Sequence, residues 1–432
     1  MATNHRQRAE APPRATATAI NLRHLRALSA VAAAGSVAGA AERLYRVSSA
    51  VTRSIAELEG ALGVPLFERR ARGMLPTSQG ELVLARAQRI EREFDEARAH
   101  LLARGGAGSA ASVRSAFASI LNGRRLAVFA SLVEKRHMGA VARAFGITQP
   151  GISAALKDLE DRLGVALVER TARGLVATPA GEIVALSFRR VLAELRHIGP
   201  DIAAAEGTLH GSVTVGALPL GRTHVLPRAI ASLLQRHPAL RVVTVESPYE
   251  SLAAGLRSGD VDFILGALRP VADVPDLLQE ALFEDRLSVI ARPGHPLAGR
   301  RRSLSFATLR RATWVLPRHG APSRELLNRA FAEARQPAPV PAVETGDLAV
   351  LRGLLIDTDM LTAISAHQLR HELREQSLVV LDVILDSTLR EIGLAQRAGA
   401  IPSPGAKTLM DEIRVVVAGS DEFRSDSSRG RD

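Results

Sequence analysis

The sequence contains no cysteine among its 432 residues. That absence excludes disulfide bonds, thiolate nucleophiles and thiolate metal sites, and it is the composition we expect of a cytoplasmic protein. No apolar run approaches the length that a membrane-spanning helix needs. Residues 1–20 are rich in arginine, alanine and proline and have no apolar segment, so we predict a disordered tail and not a secretory signal. An acid-poor start of this kind also resembles an organelle transit peptide.

Signatures of catalysis and of metal binding are missing as well. There is no GxSxG elbow, Walker loop or HExxH motif. The cluster Gly105-Gly106-Ala107-Gly108 follows no predicted strand, so we assign it to a linker and not to a nucleotide-binding loop. His367 and His371 lie four residues apart on a predicted helix, but without a third ligand a solvated helix face explains them better than a metal site. The sequence therefore predicts no enzyme, no metal and no tightly bound cofactor.

Positive charge is unevenly distributed along the chain. The formal net charge is +11, and residues 1–206 contain 29 Lys and Arg against 19 Asp and Glu. Ten of the excess positive charges therefore lie in the first half of the chain. Arginine richness inherited from genome composition would not predict this asymmetry. It is expected if the first half binds the phosphates of nucleic acid.

Residues 126–160 have the pattern of a helix-turn-helix. A helical run at 126–134 precedes a short helix that ends at Gly146, and a polar entry then leads into an amphipathic helix at 148–160. Such a helix can dock its apolar side on a small core and place its polar side in the DNA major groove, although an ordinary surface helix shows the same periodicity. The residues that we expect to contact DNA from this segment are Thr148, Gln149, Pro150, Ser153 and Lys157.

The segment after this helix predicts a wing. Two short β-prone runs are joined by residues 171–174 and carry Arg170 and Arg173, and Thr178 can cap the helix that follows. The order of helix, helix, turn, recognition helix and wing is that of a winged helix-turn-helix domain.

The same pattern occurs twice, at an offset of 101 residues. Residues 58–81 match residues 159–182 at 14 of 24 positions without a gap, which chance does not supply. Gly35-Ser36 before the second helix of the first copy is replaced by Arg136-His137 in the second copy. The second copy has the fuller recognition motif, so we predict that it is the main reader of DNA. The DNA contacts predicted for the first copy are Ser48, Ser49, Thr52, Arg53, Arg69 and Arg72.

Each copy is followed by a helix with an apolar heptad seam. Apolar residues recur at spacings of four and three, the pattern by which two helices pair, so we predict a dimerisation helix after each copy. Packing of each helix on its own domain is the alternative. Gly199-Pro200 predicts that the second helix kinks or ends early. The two seams are Val83, Ala87, Ile90, Phe94, Ala97 and Leu101, and Val184, Phe188, Val191, Leu195, Ile198 and Ile202.

These motifs resemble the DNA-binding end of LysR-type transcriptional regulators. The resemblance rests on AVARAFGITQPGISAALKDLEDRLGVALVERTARGLVATPAGE and on its partial repeat in the first copy. It implies double-stranded promoter DNA as a partner, homodimers or homotetramers formed through the linker helices, contact with RNA polymerase, and no membrane. The copies depart from the family pattern differently: the first lacks the Gln-Pro pair, and the second has Val168 where Phe67 stands in the first.

From Gly211 the periodicity changes to that of an α/β domain. Strands at 212–217, 241–246 and 261–265 alternate with helices, and a second set follows, which predicts two parallel-sheet lobes joined by crossing strands. Ligands of such sheets lie beyond the carboxyl ends of the strands, and several of these ends lead into helix N-termini that favour a carboxylate or many hydroxyls. Most polar residues at such ends are simply solvated. The candidate effector-binding residues are Leu218, Pro219, Leu220, Ala267, Arg269, Arg318, His319, Thr345 and Ser365.

The resemblance extends over about residues 22–418. GALPLGRTHVLPRAI and VETGDLAVLRGLL are similar to the branch that regulates the uptake or catabolism of sugars and aromatic acids, including the regulator of a galactose-binding protein. It implies a periplasmic-binding-protein-like sensor for a small-molecule effector, with sugar derivatives and organic or aromatic acids as candidates. Leu218 and Leu220 stand where many members have Ser and Thr, which argues against a strongly hydrophilic ligand at that wall.

The predicted fold class is therefore multidomain. Two tandem all-α winged helix-turn-helix domains with long linker helices precede an α/β two-lobed effector domain. A solute-binding protein or an enzyme on the same two-lobed scaffold is the competing interpretation, and DNA retention that falls steeply with salt would distinguish the regulator. The predicted segments are a tail at 1–20, a first domain at 21–104, a flexible linker at 105–116, a second domain at 117–206, the effector domain at 211–418 and a disordered tail at 419–432.

Overall fold

The computed structural model describes residues 20–70, 73–103, 122–172, 174–299 and 303–420. The predicted linker at 105–116 lies outside these residues, as does nearly all of both predicted tails. Two compact units form, an N-terminal unit up to Gly211 that also takes in Arg257–Asp260, and a C-terminal unit made of the remainder. No helix among the described residues is both long enough and apolar enough to span a bilayer.

The N-terminal unit consists of helices and two small hairpins. Its elements are α1 Leu22–Ala34, α2 Val37–Leu44, α3 Ser48–Leu62, β1 Phe67–Arg70, β2 Gly73–Pro76, α4 Ser78–Ala103, α5 Gly123–Lys135, α6 Met138–Phe145, α7 Gln149–Leu163, β3 Val168–Thr171, β4 Gly174–Ala177 and α8 Pro179–Ala205. Every element from α1 to β2 has a counterpart of equal length 101 residues later. We call α1 to α4 the first copy, α5 to α8 the second copy, and positions separated by 101 equivalent.

Equivalent residues make the same local bonds, which explains why the two copies share a shape. Thr77 accepts a hydrogen bond from the Gly80 N–H at 2.9 Å, and Thr178 accepts one from the Gly181 N–H at 3.0 Å. A Cβ on Gly80 would lie 2.0 Å from the Leu66 carbonyl oxygen, and one on Gly181 would lie 1.9 Å from the Leu167 oxygen. Only glycine fits so close an approach of helix to hairpin, so both copies retain it.

The copies differ at the start of their second helices. Gly35 has φ 65° and Arg136 has φ 54°, so an arginine adopts the left-handed conformation that glycine adopts in the first copy. Ser36 accepts a hydrogen bond from the Gly39 N–H at 3.1 Å, and His137 Nδ1 accepts one from the Ala140 N–H at 3.0 Å. The Arg136-His137 pair therefore keeps the capping function of Gly-Ser, at the cost of a strained arginine backbone.

Replacing Arg136 with glycine is expected to stabilise the protein by about 0.5–1 kcal/mol, because relief of the left-handed strain exceeds the entropy lost by glycine on folding. Thermal unfolding of the full chain measures the change. Arg143→Gly is the matched control: Arg143 lies in the regular helix α6, where glycine should destabilise by about 1 kcal/mol. A lower melting temperature for Arg136→Gly would contradict the assignment.

The long helices α4 and α8 pack against each other along their predicted seams. Val83 and Ile90 of α4 and Val191 and Ile198 of α8 are buried, and the Phe94 and Phe188 rings meet edge to face at 6.3 Å. The sequence predicts a dimerisation helix after each copy. In this chain the two predicted seams pack on each other.

Pro200 lies inside α8, which continues to Ala205. Of the two predicted outcomes, a kink or an early end, the early end is wrong. The last turn is held because Asp201 bonds to Arg86 of α4, and Ile202 and Ala203 are fully buried. These contacts offset the roughly 3 kcal/mol that an interior proline costs a helix.

From Gly211 onward the chain builds two five-stranded sheets. The elements are β5 Gly211–Ala217, α9 Pro219–Arg222, α10 Val225–Arg236, β6 Leu240–Val245, α11 Tyr249–Ser258, β7 Phe263–Ala267, β8 Leu277–Asp285, β9 Leu287–Ala291, α12 Phe306–Leu309, β10 Thr313–Leu316, α13 Pro322–Glu333, β11 Val343–Glu344, α14 Leu348–Asp357, β12 Met360–Ser365, α15 Arg370–Arg374, β13 Val379–Val380, β14 Arg390–Arg397 and α16 Pro404–Ala418, with short 3₁₀ turns at Val271–Asp273, Ala366–Leu369 and Asp386–Thr388.

The sheets are mixed and not purely parallel. The first lobe has the strand order β6-β5-β7-β14-β8 and the second lobe has β11-β10-β12-β9-β13. β5 and β7 are parallel, but β14 runs antiparallel to β7 and β8, and β9 runs antiparallel to β12. The prediction of parallel sheets is corrected because the chain crosses between lobes from β8 to β9 and returns as β14, and the crossing strands run in the opposite direction.

Asp285 joins the two lobes at these crossings. Its carboxylate accepts hydrogen bonds from Ser365 Oγ at 2.5 Å and from Arg390 Nη2 at 2.9 Å. Burial raises the pKa of the Asp285 carboxyl, and the charge of Arg390 and the Ser365 hydroxyl partly offset that increase. The predicted effector contact Ser365 is buried, with its hydroxyl engaged on Asp285, and its role as a ligand contact stays a prediction.

Candidate nucleic-acid interface and effector cavity

Helix α7 has one buried and one exposed face. Ile152, Leu156, Leu159 and Leu163 are buried in the N-terminal core, and Thr148 caps the helix by accepting a hydrogen bond from the Gly151 N–H at 3.2 Å. The predicted DNA contacts Thr148, Gln149, Pro150 and Lys157 are exposed on the other side. Ser153 is half-buried, with its hydroxyl 3.5 Å from the Met138 sulfur. The first turn of α7 is thus available to a base edge or a phosphate.

Helix α3 exposes a different set of groups at the equivalent place. Ser48, Ser49, Thr52 and Arg53 are all exposed. The Thr52 hydroxyl donates to the Ser48 carbonyl at 3.1 Å, and Arg53 forms an ion pair with Glu57 at 2.7 Å. The bond to Glu57 raises the pKa of Arg53, whose side chain is almost fully exposed. Exchange of Glu57 for a phosphate would cost Arg53 little, because ion pairs between exposed groups contribute little to stability.

The hairpins place two of the four predicted wing arginines on the surface. Arg69 lies on β1 and Arg170 on β3, both exposed and at equivalent positions. Arg72 and Arg173 lie outside the described residues. The two copies therefore bring one arginine each to the same place on the wing.

The turn before α3 contains residues that sequence reasoning missed. Tyr45 is 97% exposed and has φ 54°, and the exposed Arg46 follows it. The equivalent of Tyr45 is Gly146, with φ 61°. The left-handed backbone of a non-glycine residue is strained, which motivates the hypothesis that Tyr45 contacts the DNA backbone. The signal available in the sequence was a tyrosine at the position where the other copy has glycine.

The remaining predicted effector residues lie near strand ends and differ in exposure and contacts. Leu218 packs on the apolar cluster of α11 and β7, and Leu220 is buried. The Arg269 guanidinium lies 4.2 Å from the centre of the Tyr249 ring. Thr345 accepts a hydrogen bond from the Asp347 N–H at 3.1 Å. Of the other four, Pro219, Arg318 and His319 are exposed and Ala267 is half-buried.

A cavity of about 580 Å³ lies elsewhere in the C-terminal unit, and sequence reasoning did not find it. Its charged residues are mostly basic, and Glu372, the acidic residue of its lining, is paired with Arg352 at 2.6 Å. The α10 end of the cavity contributes Thr223, His224 and Arg228, and α14, the 3₁₀ turn and α15 contribute Leu348, Ala349, Arg352, His367, Gln368, Leu369, Arg370, His371, Glu372 and Arg374. Residues from segments this far apart in the sequence give no local motif, which is why the cavity was missed.

Comparisons with known proteins match both halves of the chain. The family model described as "Bacterial regulatory helix-turn-helix protein, lysR family" matches residues 22–81 and 124–182, and "LysR substrate binding domain" matches residues 206–418. HTH-type transcriptional regulator GalR of Pseudomonas putida is 48% identical over 397 residues, covering 92% of this chain and 97% of that protein.

More distant relatives match about two thirds of this chain. HTH-type transcriptional regulator GbpR of Azospirillum brasilense is 26% identical over 293 residues, which is 68% of this chain and 86% of that protein. The structure of a full-length OxyR variant from Pseudomonas aeruginosa matches with a TM-score of 0.54 and 25% identity, over 68% of this chain and 95% of that chain. Both of these proteins are matched over most of their own length, and about a third of this chain has no counterpart in them.

A helical DNA-binding region joined to a two-lobed ligand-binding domain defines a ligand-responsive transcriptional regulator. The chain belongs to the LysR family of DNA-binding transcriptional regulators. Regulators of this family bind promoter DNA, form oligomers and are not enzymes, which excludes both the transporter and the enzyme alternatives.

Proposed function

We propose that both copies are winged helix-turn-helix domains that bind promoter DNA, and that an effector in the C-terminal unit modulates this binding in the bacterial cytoplasm. The observation that carries the proposal is the exposure of polar and basic groups at equivalent places on α3 and α7 and on both wings. Ser49, Thr52 and Arg53 are the proposed contacts of the first copy. Gln149, Ser153 and Lys157 are those of the second. Tyr45 is proposed as an added backbone contact.

Footprinting of the full-length protein on the DNA upstream of its own gene tests this proposal. A footprint with two protected segments, each lost separately when α3 or α7 is altered, supports two DNA-binding copies. If the protected segments stay the same after every change in α3, only the second copy binds DNA.

We further propose that the effector is an organic anion held in the basic cavity of the C-terminal unit. Arg228 and Arg374 are exposed at this cavity, and charge-assisted bonds from guanidinium to carboxylate are among the stronger hydrogen bonds in proteins. The size of the cavity suits a small organic molecule. At the strand ends, Leu218 is apolar and Ser365 is buried, so these two residues present no polar group to a charged ligand.

Arg228→Ala and Arg374→Ala are each expected to weaken carboxylate binding by about tenfold or more, since a hydrogen bond to a charged group contributes about 1.5–3 kcal/mol. Calorimetric titration of the full-length protein with benzoate, succinate and uncharged galactose measures the effect. Arg318→Ala, at a strand end, is the matched control and should leave affinity unchanged. Preference for galactose, or a loss confined to Arg318→Ala, would place the effector at the strand ends instead.

A further inference from the structure

We propose that α4 and α8 join the two copies of one chain into a single two-headed reader, so that one chain occupies an operator made of two unlike half-sites. The inference rests on the proposed function of both copies. In this arrangement the second head is supplied by the same chain and not by a second subunit. Further association of chains would use other surfaces.

Contacts between the copies obey a two-fold relation, the arrangement of a closed dimer. Asn21 and Asn122 are equivalent residues, and they form an antiparallel bridge with each other. A pair of equivalent residues can meet only on the two-fold axis. Each also caps its own helix, accepting hydrogen bonds from the Arg23 N–H at 3.0 Å and the Arg124 N–H at 2.9 Å.

The helix pair repeats the same relation away from the axis. Arg89 Nε lies 3.6 Å from Glu194, and the equivalent Arg190 Nη1 lies 3.2 Å from Glu93. Ser187, which is equivalent to Arg86, donates a hydrogen bond to the Glu93 carbonyl at 3.1 Å. Both helices therefore present the same surfaces to each other in opposite directions, as two identical subunits would.

The symmetry is broken at two positions. Both differences favour the pairing of α4 with α8, which we call the mixed pair, over the pairing of either helix with a copy of itself. Arg86 of α4 faces Asp201 and Glu194 of α8 at 2.7 Å each. The equivalent positions in the other copy hold Ser187 and His100 in place of Arg86 and Asp201. The mixed pair thus brings together a complementary basic residue and acidic residue that neither helix could offer to a copy of itself.

The balance of the buried and partly buried charges between the two helices specifies this pairing. The mixed pair combines Arg86, Arg89 and Arg190 with Glu93, Glu194 and Asp201, three positive and three negative groups. Two α4 helices would set four arginines against two glutamates. Two α8 helices would set two arginines against four carboxylates. A buried imbalance of two charges is strongly unfavourable, because ions that leave water need a partner.

Chain connectivity acts in the same direction. α4 ends at Ala103 and the second copy, which ends in α8, begins with α5 at Gly123, so α8 is always tethered near α4 by the same chain. A short tether gives an effective concentration in the millimolar range, whereas a second chain must compete at its concentration in the cell.

The two heads of this reader are chemically different, so the half-sites must differ too. At positions separated by 101 residues, the second copy has Gln149 where the first has Ser48. It has Ala154 in place of Arg53, and Lys157 in place of Ala56. The basic side chain is thereby displaced along the helix by three residues, almost one turn. A palindromic operator would suit one head and not the other.

The absence of native cysteine allows a direct test by disulfide cross-linking of the full-length protein. Residues facing each other in an antiparallel bridge have Cα atoms about 4.5–5.5 Å apart, within the range that a disulfide spans. Asn21→Cys/Asn122→Cys should cross-link within one chain and run as a compact monomer on non-reducing gels. Asn21→Cys alone and Asn122→Cys alone should give no covalent dimer.

Other outcomes overturn the proposal in distinguishable ways. Covalent dimers from a single-cysteine variant would show pairing of identical helices, since Asn21 would then face its own copy. Dimers from the double variant alone would show exchange of helices between chains. No cross-linking in any variant, with each still folded by circular dichroism, would show that the copies do not meet.

A second measurement uses the unmodified protein and remains informative if loss of the asparagine caps unfolds the cysteine variants. The protein is titrated onto operator DNA whose protected half-sites have been mapped by footprinting, and the mass of the complex gives the number of bound chains. We expect two protected half-sites per chain, whatever the oligomeric state. One half-site per chain would overturn the proposal. Intrachain cross-linking without DNA binding would instead refute the proposed function and leave the pairing intact.

Discussion

Replacing Arg86 with alanine is expected to lower the free energy of unfolding of the N-terminal unit by about 3–5 kcal/mol. The Arg86 side chain is 1% exposed and bonds to both Glu194 and Asp201. Burial disfavours its charged form, but the bonds to these two carboxylates outweigh that effect and raise the pKa of Arg86. Without the guanidinium, two largely buried carboxylates lose their shared partner, and their desolvation is offset much less, although Glu194 retains its contact with Arg89 at 3.6 Å.

Chemical unfolding of the full-length protein, followed together with hydrogen exchange of α4 and α8, measures this loss. Ser187→Ala is the matched control, because Ser187 occupies the equivalent position and makes one neutral hydrogen bond, for which we expect about 1 kcal/mol. Adding Asp201→Asn and Glu194→Gln to Arg86→Ala should recover part of the stability by removing the uncompensated charges. A loss below about 1 kcal/mol for Arg86→Ala would mean that the carboxylates are hydrated or otherwise compensated.

Removing the polar face of α7 is expected to give the second large effect. Gln149→Ala together with Ser153→Ala should weaken operator binding by about 2–4 kcal/mol, roughly 30- to 1000-fold, if each side chain contributes about 1–2 kcal/mol through a base contact. Lys157→Ala should act differently, weakening binding on all sequences and reducing the salt dependence by about one charge.

Fluorescence anisotropy with operator and unrelated DNA over a range of salt concentrations separates these effects. Gln88→Ala is the control, since Gln88 is exposed on α4 away from the recognition helices. Ser49→Ala with Thr52→Ala, the corresponding change in α3, should weaken binding only at the other half-site. Undiminished binding after the α7 double change would rule out α7 as the recognition helix.

Local elements could be predicted from the sequence because short-range chemistry determines them. Thr148 before an amphipathic run, Gly146 after a short helix and Thr178 before Pro179 each mark a helix end. The internal repeat added a second, independent observation of the same pattern. Family membership followed from these motifs, and the comparisons confirm it.

Contacts between distant segments could not be predicted in the same way. A heptad seam shows that a helix pairs but not with which partner, and only the facing of Arg86 with Asp201 reveals the choice. Pro200 signals an early helix end that tertiary packing overrides. Ser365 follows a strand as a ligand contact would, yet its hydroxyl bonds to Asp285, which lies 80 residues away in the sequence. The basic cavity likewise combines residues of α10 and α15.

The pairing of α4 with α8 also changes the ratio of sensors to heads. A reader built from two identical subunits has two effector sites, which can interact and give a sigmoidal response. The reader inferred here has two heads but a single C-terminal sensor, matched at residues 206–418. One effector molecule would then govern both heads together, and an isolated reader would respond to effector along a simple hyperbola.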